Sequence, residues 1–191
     1  MRSEVQLMNN IKLETERLIL RPFIENDFAQ VHAYASKLEN VSYMLWGPND
    51  EDDTRNFIAE TIQKAEANPR KHYDFAIILK ESEQAIGGCG IYLNDEMNQG
   101  MLGWILNMNH WKRGYGKEVA AALLKFGFEE LKLHRIWATC RIDNYGSYRV
   151  MEYNGMRREA HFVKARFGRV CDKKQWYDEY HYGILREEYL K

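Results

Sequence analysis

Trp111-Lys112-Arg113-Gly114-Tyr115-Gly116-Lys117-Glu118 is the stretch on which the reading turns. It follows an apolar run that reads as a strand and precedes a run with helical spacing. Glycines at 114 and 116 remove side chains where the backbone must turn. Such a turn leaves N–H groups unpaired at the positive end of the helix dipole. Lys112, Arg113 and Lys117 add positive charge, so the segment suits a phosphate or pyrophosphate. A glycine turn flanked by solvated lysines is the plain alternative, and these residues alone do not separate the two. The dinucleotide fingerprint is incomplete, because Val119 stands where its third glycine belongs. A Walker-type loop is disfavoured, because Glu118 and not Ser or Thr follows Lys117.

On the C-terminal side, Val119, Ala120, Leu123, Leu124, Gly127 and Leu131 form one apolar stripe at helical spacing. Gly127 on that stripe implies close approach to a sheet. A strand over Ile136 to Cys140 follows, then a helix begun by Asp143 or Asn144 and stopped by Asn154-Gly155. Met156 to Val163 and Tyr177 to Leu185 read as two strands. On the N-terminal side, three strands run Tyr73 to Leu79, Ala85 to Leu93 and Met101 to Leu106, with short polar connections suited to hairpins. Before them come a strand at Arg17 to Arg21, a helix capped by Asn26 or Asp27, and a helix opened by Asp53 or Thr54 that ends by Asn68-Pro69. This order predicts an α+β domain with a mixed, mostly antiparallel central sheet flanked by helices, not a doubly wound parallel sheet. The helix after Gly116 is the expected parallel crossover.

The chain has 191 residues, 45% apolar and 29% charged, with a formal net charge of −1. That predicts one domain, residues 1–191 with a core at about 13–188, and argues against nucleic acid held by bulk charge. Three cysteines, Cys89, Cys140 and Cys171, lack the spacing of a zinc site or disulfide framework. They point to a reducing compartment, with Cys89 and Cys140 as core thiols. Met1 to Asn10 does not read as a signal peptide, and no run is long and apolar enough to span a membrane. The expected location is cytoplasmic, with no metal.

Taken as an ordered set, these segments resemble the GNAT N-acetyltransferases. The glycine loop is similar to that family's acetyl-CoA signature. Gly87 stands in a strand like the family's own. Gly103-Trp104-Ile105-Leu106 resembles the strand before the loop, and Leu133-His134-Arg135-Ile136 the entry to the next one. Asn144, Ser147, Val150, Glu152, Gly155-Met156 and Glu159 resemble the segment that follows. Thr15 to Arg21 resembles the first strand of the RimJ/RimL-like branch, which includes enzymes acetylating protein N-termini. The resemblance implies an acetyltransferase moving an acetyl group from acetyl-CoA to a primary amine by direct attack. Backbone groups near Ile105 and Leu106 would pair with the pantetheine arm, and one N–H there would polarise the thioester oxygen. N–H groups of Lys112, Arg113, Gly114, Tyr115, Gly116 and Lys117 would hold the pyrophosphate. Asn144 would bond the pantetheine, unless it serves as a helix cap. Ser147 would sit near the sulfur as acid. The acceptor is a protein N-terminus or a small-molecule amine; a homodimer is left open.

Two positions depart from the family pattern. Met151 stands where a tyrosine often acts as acid, and Met101 where some members carry a glutamate. Tyr145 and Tyr148 join Ser147 as substitutes for the acid, or water protonates the thiolate. The base is open among Asp95, Glu96, His161 and Glu179, each of which also reads as an ordinary surface residue. The stretch Phe162 to Tyr182 reads as a solvated loop or as a lid over the acceptor. Its basic and aromatic residues also suit nucleic acid, but Asp172, Asp178 and Glu179 oppose that. The acidic cluster Asn49 to Asp53 reads as a helix cap in preference to an amine-attracting patch. Two other functions compete: a non-catalytic acyl-CoA binding or sensor module, and a nucleotide-binding protein of another fold.

Overall fold

A computed structural model describes residues 11–170 and 173–191. The N-terminal stretch Met1 to Asn10, with Cys171 and Asp172, lies outside the described residues. The strands are β1 (Leu13–Glu14), β2 (Leu18–Arg21), β3 (His72–Leu79), β4 (Gln84–Leu93), β5 (Gln99–Leu106), β6 (Arg135–Arg141), β7 (Arg157–Val170) and β8 (Lys173–Leu185). They form one sheet in the order β1-β2-β3-β4-β5-β6-β8-β7. Every neighbouring pair is antiparallel except β5–β6.

Alternation along the strands sorts side chains to two faces. On one face Tyr73, Phe75, Ile77, Ile91, Leu102, Ile136, Ala138 and Tyr182 pack beneath α3 (Tyr115–Lys125) and α4 (Tyr145–Tyr153). Val119, Leu123 and Leu124 close this core from α3, and Met151 closes it from α4. Each such fully buried large side chain is worth about 1.5–3 kcal/mol. Phe126–Glu130 continues α3 as a π-turn. There a Cβ on Gly127 would lie 2.5 Å from the Ile136 side chain, the close approach that the stripe implied. The other face carries a smaller core, Ala76, Ile78 and Ala85, beneath α1 (Phe28–Ala35) and α2 (Glu51–Ala65). The short α5 (Arg186–Tyr189) ends the chain's regular structure.

The expected strands and helices are present, β1 and α5 are additional to them, and three further details differ. Asp50, not Asp53 or Thr54, caps α2; its carboxylate accepts the Asp53 N–H at 2.8 Å. The acidic cluster is thus a capping box. Asp27 stands at the N-cap position of α1, but its side chain makes no capping bond. Its buried carboxylate takes both terminal nitrogens of Arg21 at 2.7 Å and the Ile24 N–H at 2.9 Å. The third difference is larger: Phe162 to Val170 and Lys173 to Tyr182 are strand and not loop, and β7 and β8 pair as one long antiparallel ribbon. Its ladder shifts register between Phe162 and Arg166, where Lys164 has φ of 47°. That bulge hides the two-residue period from a sequence reading. Beyond it Phe167 pairs with Trp176, their rings 5.4 Å apart. Both rings are exposed, and cross-strand aromatics of this kind stabilise a solvated ribbon.

Candidate active site

The parallel ladder between β5 and β6 covers only Gln99–Met101 against Arg135–Trp137. Past these residues the two strands part, while β5 stays paired to β4 as far as Leu106 and β6 stays paired to β8 as far as Arg141. A wedge-shaped gap opens, and its walls are strand edges with backbone groups to satisfy. Alternate residues of β5 turn their backbone groups into it. The Ile105 carbonyl is not among them: it points at β4, so near that a Cβ on Gly87 would sit 2.2 Å from it. Trp104 and Leu106 are therefore the gap-facing positions. The Leu106 carbonyl is already engaged, accepting from Asn40 Nδ2 at 3.1 Å and from Trp111 Nε1 at 2.8 Å. Asn40 is 3% exposed, and its Oδ1 takes the Met108 N–H at 2.7 Å. The end of β5 is so anchored to the segment after α1.

The glycine loop closes the same end. Gly114 is the N-cap of α3 with φ of 85°, and Lys112 also has positive φ, 60°. The first helical bonds run to the Gly114 carbonyl from Lys117 and Glu118. The N–H groups of Gly114, Tyr115 and Gly116 precede them and have no intrahelical acceptor. Arg17 holds the loop from behind. It donates to the Arg113 carbonyl at 3.0 Å and to Glu118 at 2.8 Å, and lies over the Tyr115 ring at 4.5 Å. Partial burial pushes the Glu118 carboxyl up, but hydrogen bonds from Thr15 and Arg17 outweigh it and hold it below the usual range. Lys117 lies over the Tyr153 ring at 3.8 Å, and its carbonyl accepts from Asn154. The loop is thus a rigid cradle of backbone donors at the positive end of α3.

Asn144 caps α4, its side chain accepting the Ser147 N–H at 3.1 Å. That bond uses one oxygen lone pair and leaves the amide N–H groups available. Ser147, half-buried, bonds the Cys140 thiol on β6; burial pushes that thiol up to about 12. Met151 is 1% exposed and belongs to the core. Tyr145 is exposed, while Tyr148 packs against the core edge.

The base candidates separate by position. Asp95 and Glu96 sit in the β4–β5 turn, at the end of β5 opposite the gap, and Asp95 pairs there with Lys71 at 2.9 Å. His161 pairs with Asp178 at 2.7 Å on the ribbon, in register with Tyr180 on the α3/α4 face. Glu179 alone of the four lies on the α1/α2 face one strand from the gap, in register with Arg141. Arg141, 7% exposed, joins the walls of this region. It donates to the Ser42 carbonyl at 3.0 Å, to the Arg169 carbonyl in the ribbon at 3.2 Å and to Asp143 at 2.5 Å. The bracing roles of Arg17, Asn40, Glu118 and Arg141 are not legible in the sequence, because each acts on a partner some hundred or nearly seventy positions away. Their only signal was polar chemistry beside apolar runs.

Among the described residues no group of three or more His, Cys, Asp or Glu is placed to hold a metal. No described helix is long and apolar enough to cross a membrane.

The acetyltransferase (GNAT) domain family model matches residues 17–157. An uncharacterized N-acetyltransferase of Bacillus subtilis, YnaD, is 37% identical over 177 residues, 93% of this chain and 98% of that one. A GNAT-family acetyltransferase structure from Bacillus anthracis is 38% identical with a TM-score of 0.81, covering 93% of this chain and all of the other. A Vibrio cholerae spermidine N-acetyltransferase, solved with CoA and spermine, shares the fold at 20% identity, with a TM-score of 0.78 over 93% of this chain and all of that one. With its mixed sheet, parted parallel strands and glycine-capped crossover helix, the chain belongs to the GNAT family of N-acetyltransferases.

Proposed function

We propose that the protein transfers an acetyl group from acetyl-CoA to a primary amine, on a protein N-terminus or a small molecule. The observation that carries this reading is the gap between β5 and β6, which runs to a cradle of unpaired N–H groups at Gly114 to Gly116. A diphosphate suits that cradle, with Lys112, Arg113 and Lys117 around it. A pantetheine arm suits the open strand edges, since its amides replace the missing ladder partner. On β5 the available groups are those of Trp104 and the Leu106 N–H; Ile105 supplies its side chain to the α1/α2 face. Asn144 and Ser147 stand at the β6 side of the gap. Acetyl-CoA supplies the thioester carbonyl. The protein supplies a backbone N–H toward its oxygen, a hydroxyl at Ser147 near the departing sulfur, and a surface on which the amine is held.

The test is release of free CoA thiol with a panel of amines: a polyamine, an aminoglycoside and a peptide with a free N-terminus. Turnover with any of them is expected. Acetyl-CoA binding without turnover on every acceptor would favour a sensor, and tighter binding of ATP than of acetyl-CoA would end both readings. Within the active panel, Ser147→Ala is expected to lower kcat by about tenfold or more while acetyl-CoA affinity changes little. An unaltered rate removes Ser147 from the mechanism.

A further inference from the structure

We propose that Glu179 is the base that takes the proton from the acceptor's ammonium, an assignment that rests on the amine-acetylating reading above. Direct attack needs a neutral amine, and amines with pKa of about 8–10 are mostly protonated at pH 7. The protein must therefore place a proton acceptor where the amine meets the gap. Trp137, Thr139 and Arg141 alternate with the core residues Ile136, Ala138 and Cys140, so they face away from α3 and α4. In the β6–β8 ladder Thr139 stands opposite His181 and Arg141 opposite Glu179. Glu179 and His181 thus share the face from which Ile105 meets α1 and α2, one strand from the gap. Neighbouring strands are about 4.8 Å apart, so Glu179 stands one strand behind the β6 edge of the gap and meets an acceptor there through the length of its side chain or one water.

Glu179 is 6% exposed, a burial that a carboxylate rarely accepts without a purpose or a partner. His181 Nε2 lies 2.8 Å from its Oε2. The imidazole is held by Trp137, stacked at 6.1 Å, and by the edge of Phe162 at 4.6 Å. Arg166, from an exposed side chain on β7, makes a longer contact of 3.4 Å with the same oxygen. Among the described residues Oε1 has no such partner. Tyr177 on β8 and Cys140 on β6 complete the titratable groups around the carboxylate, with Arg141 beside it tied to Asp143. The carboxylate is therefore oriented through one oxygen and, among the described residues, left without a hydrogen-bond partner at the other. Aromatic rings and a carboxylate together also suit a cationic acceptor before it loses its proton.

The step balances without another reactant. The ammonium gives one proton to Glu179. The neutral nitrogen bonds the thioester carbon as the carbon–sulfur bond breaks, and the second nitrogen proton ends on the sulfur. Glu179 returns its proton to water.

Glu179→Gln keeps the shape and the acceptor for His181. With the best amine of the panel at pH 7 it is expected to lose about 10²-fold or more in kcat. Acetyl-CoA affinity by calorimetry should stay within about twofold, because Glu179 is not among the groups placed on the cofactor. The loss should shrink as pH rises toward the amine's own pKa. With hydroxylamine, already neutral at pH 7, the variant should run within about threefold of wild type. Glu179→Asp, which keeps the charge, should recover part of the rate. An active wild type with Glu179→Gln equally active at pH 7 overturns the assignment. So does an equal loss with hydroxylamine, or in both variants, which would mark Glu179 as structural. A wild type inert on every amine sinks the underlying reading instead.

Discussion

Gly114→Glu is expected to fold and to lose acetyl-CoA binding by about 100-fold or more, since it sets a negative charge among donors that meet a diphosphate. Two effects add. Gly114 has φ of 85°, a conformation costing a residue with a Cβ roughly 1–2 kcal/mol. Its Cβ would also stand 3.4 Å from the Arg17 guanidinium that braces the loop. The carboxylate would draw Arg17 off the Arg113 carbonyl and Glu118, so the cradle loses its brace as well as its polarity. Gly114→Asn separates these effects. Asparagine tolerates the left-handed region and brings no charge, so it should retain most of the affinity. Calorimetric titration of both variants, with melting curves to show folding, is the check. Unchanged affinity in folded Gly114→Glu would refute the loop.

Gly87→Ala is expected to cost about 2–3 kcal/mol of stability through overpacking. At this chain length that lowers the melting temperature by ~5–10 °C. The added Cβ would lie 2.2 Å from the Ile105 carbonyl and 3.0 Å from the Leu106 Cα, both main-chain atoms that no side-chain rotation can clear. β5 must therefore shift at the mouth of the gap, where Trp104 and Leu106 present their backbone groups. A displacement near 1 Å there should cost about 10²-fold in kcat. Gly146→Ala is the control for stability. Its Cβ would come no nearer than 3.8 Å to the Asn144 side chain, and a helical Gly→Ala change is neutral or slightly favourable. If Gly87→Ala melts with wild type, the close packing of β4 on β5 does not hold.

The fold class was legible because apolar period changes sharply along this chain. Tyr73 to Leu106 holds three short apolar runs bounded by polar turns, and Val119 to Leu124 switches to helical spacing. The glycine loop was legible because its geometry is local: Gly114 and Gly116 sit within two residues of every group they position. The gap was not, since it is a missing ladder, and no residue type marks where two parallel strands stop pairing. The braces were hidden for a related reason. Asn40 meets Leu106 across 66 positions and Arg17 meets Glu118 across 101, contacts that exist only once the sheet is formed. The ribbon was masked by its bulge at Lys164 and by charges on both its exposed sides. Glu179 could be named from sequence but not ranked, because its register against Arg141 decides which face it occupies.

A crystal structure of the protein with CoA is the decisive measurement. The pantetheine arm is expected between β5 and β6 past Met101 and Trp137, with the diphosphate on the N–H groups of Gly114 to Gly116 and the sulfur beside Ser147. CoA bound elsewhere, with the strand edges left bare and the glycine turn untouched, would contradict this placement.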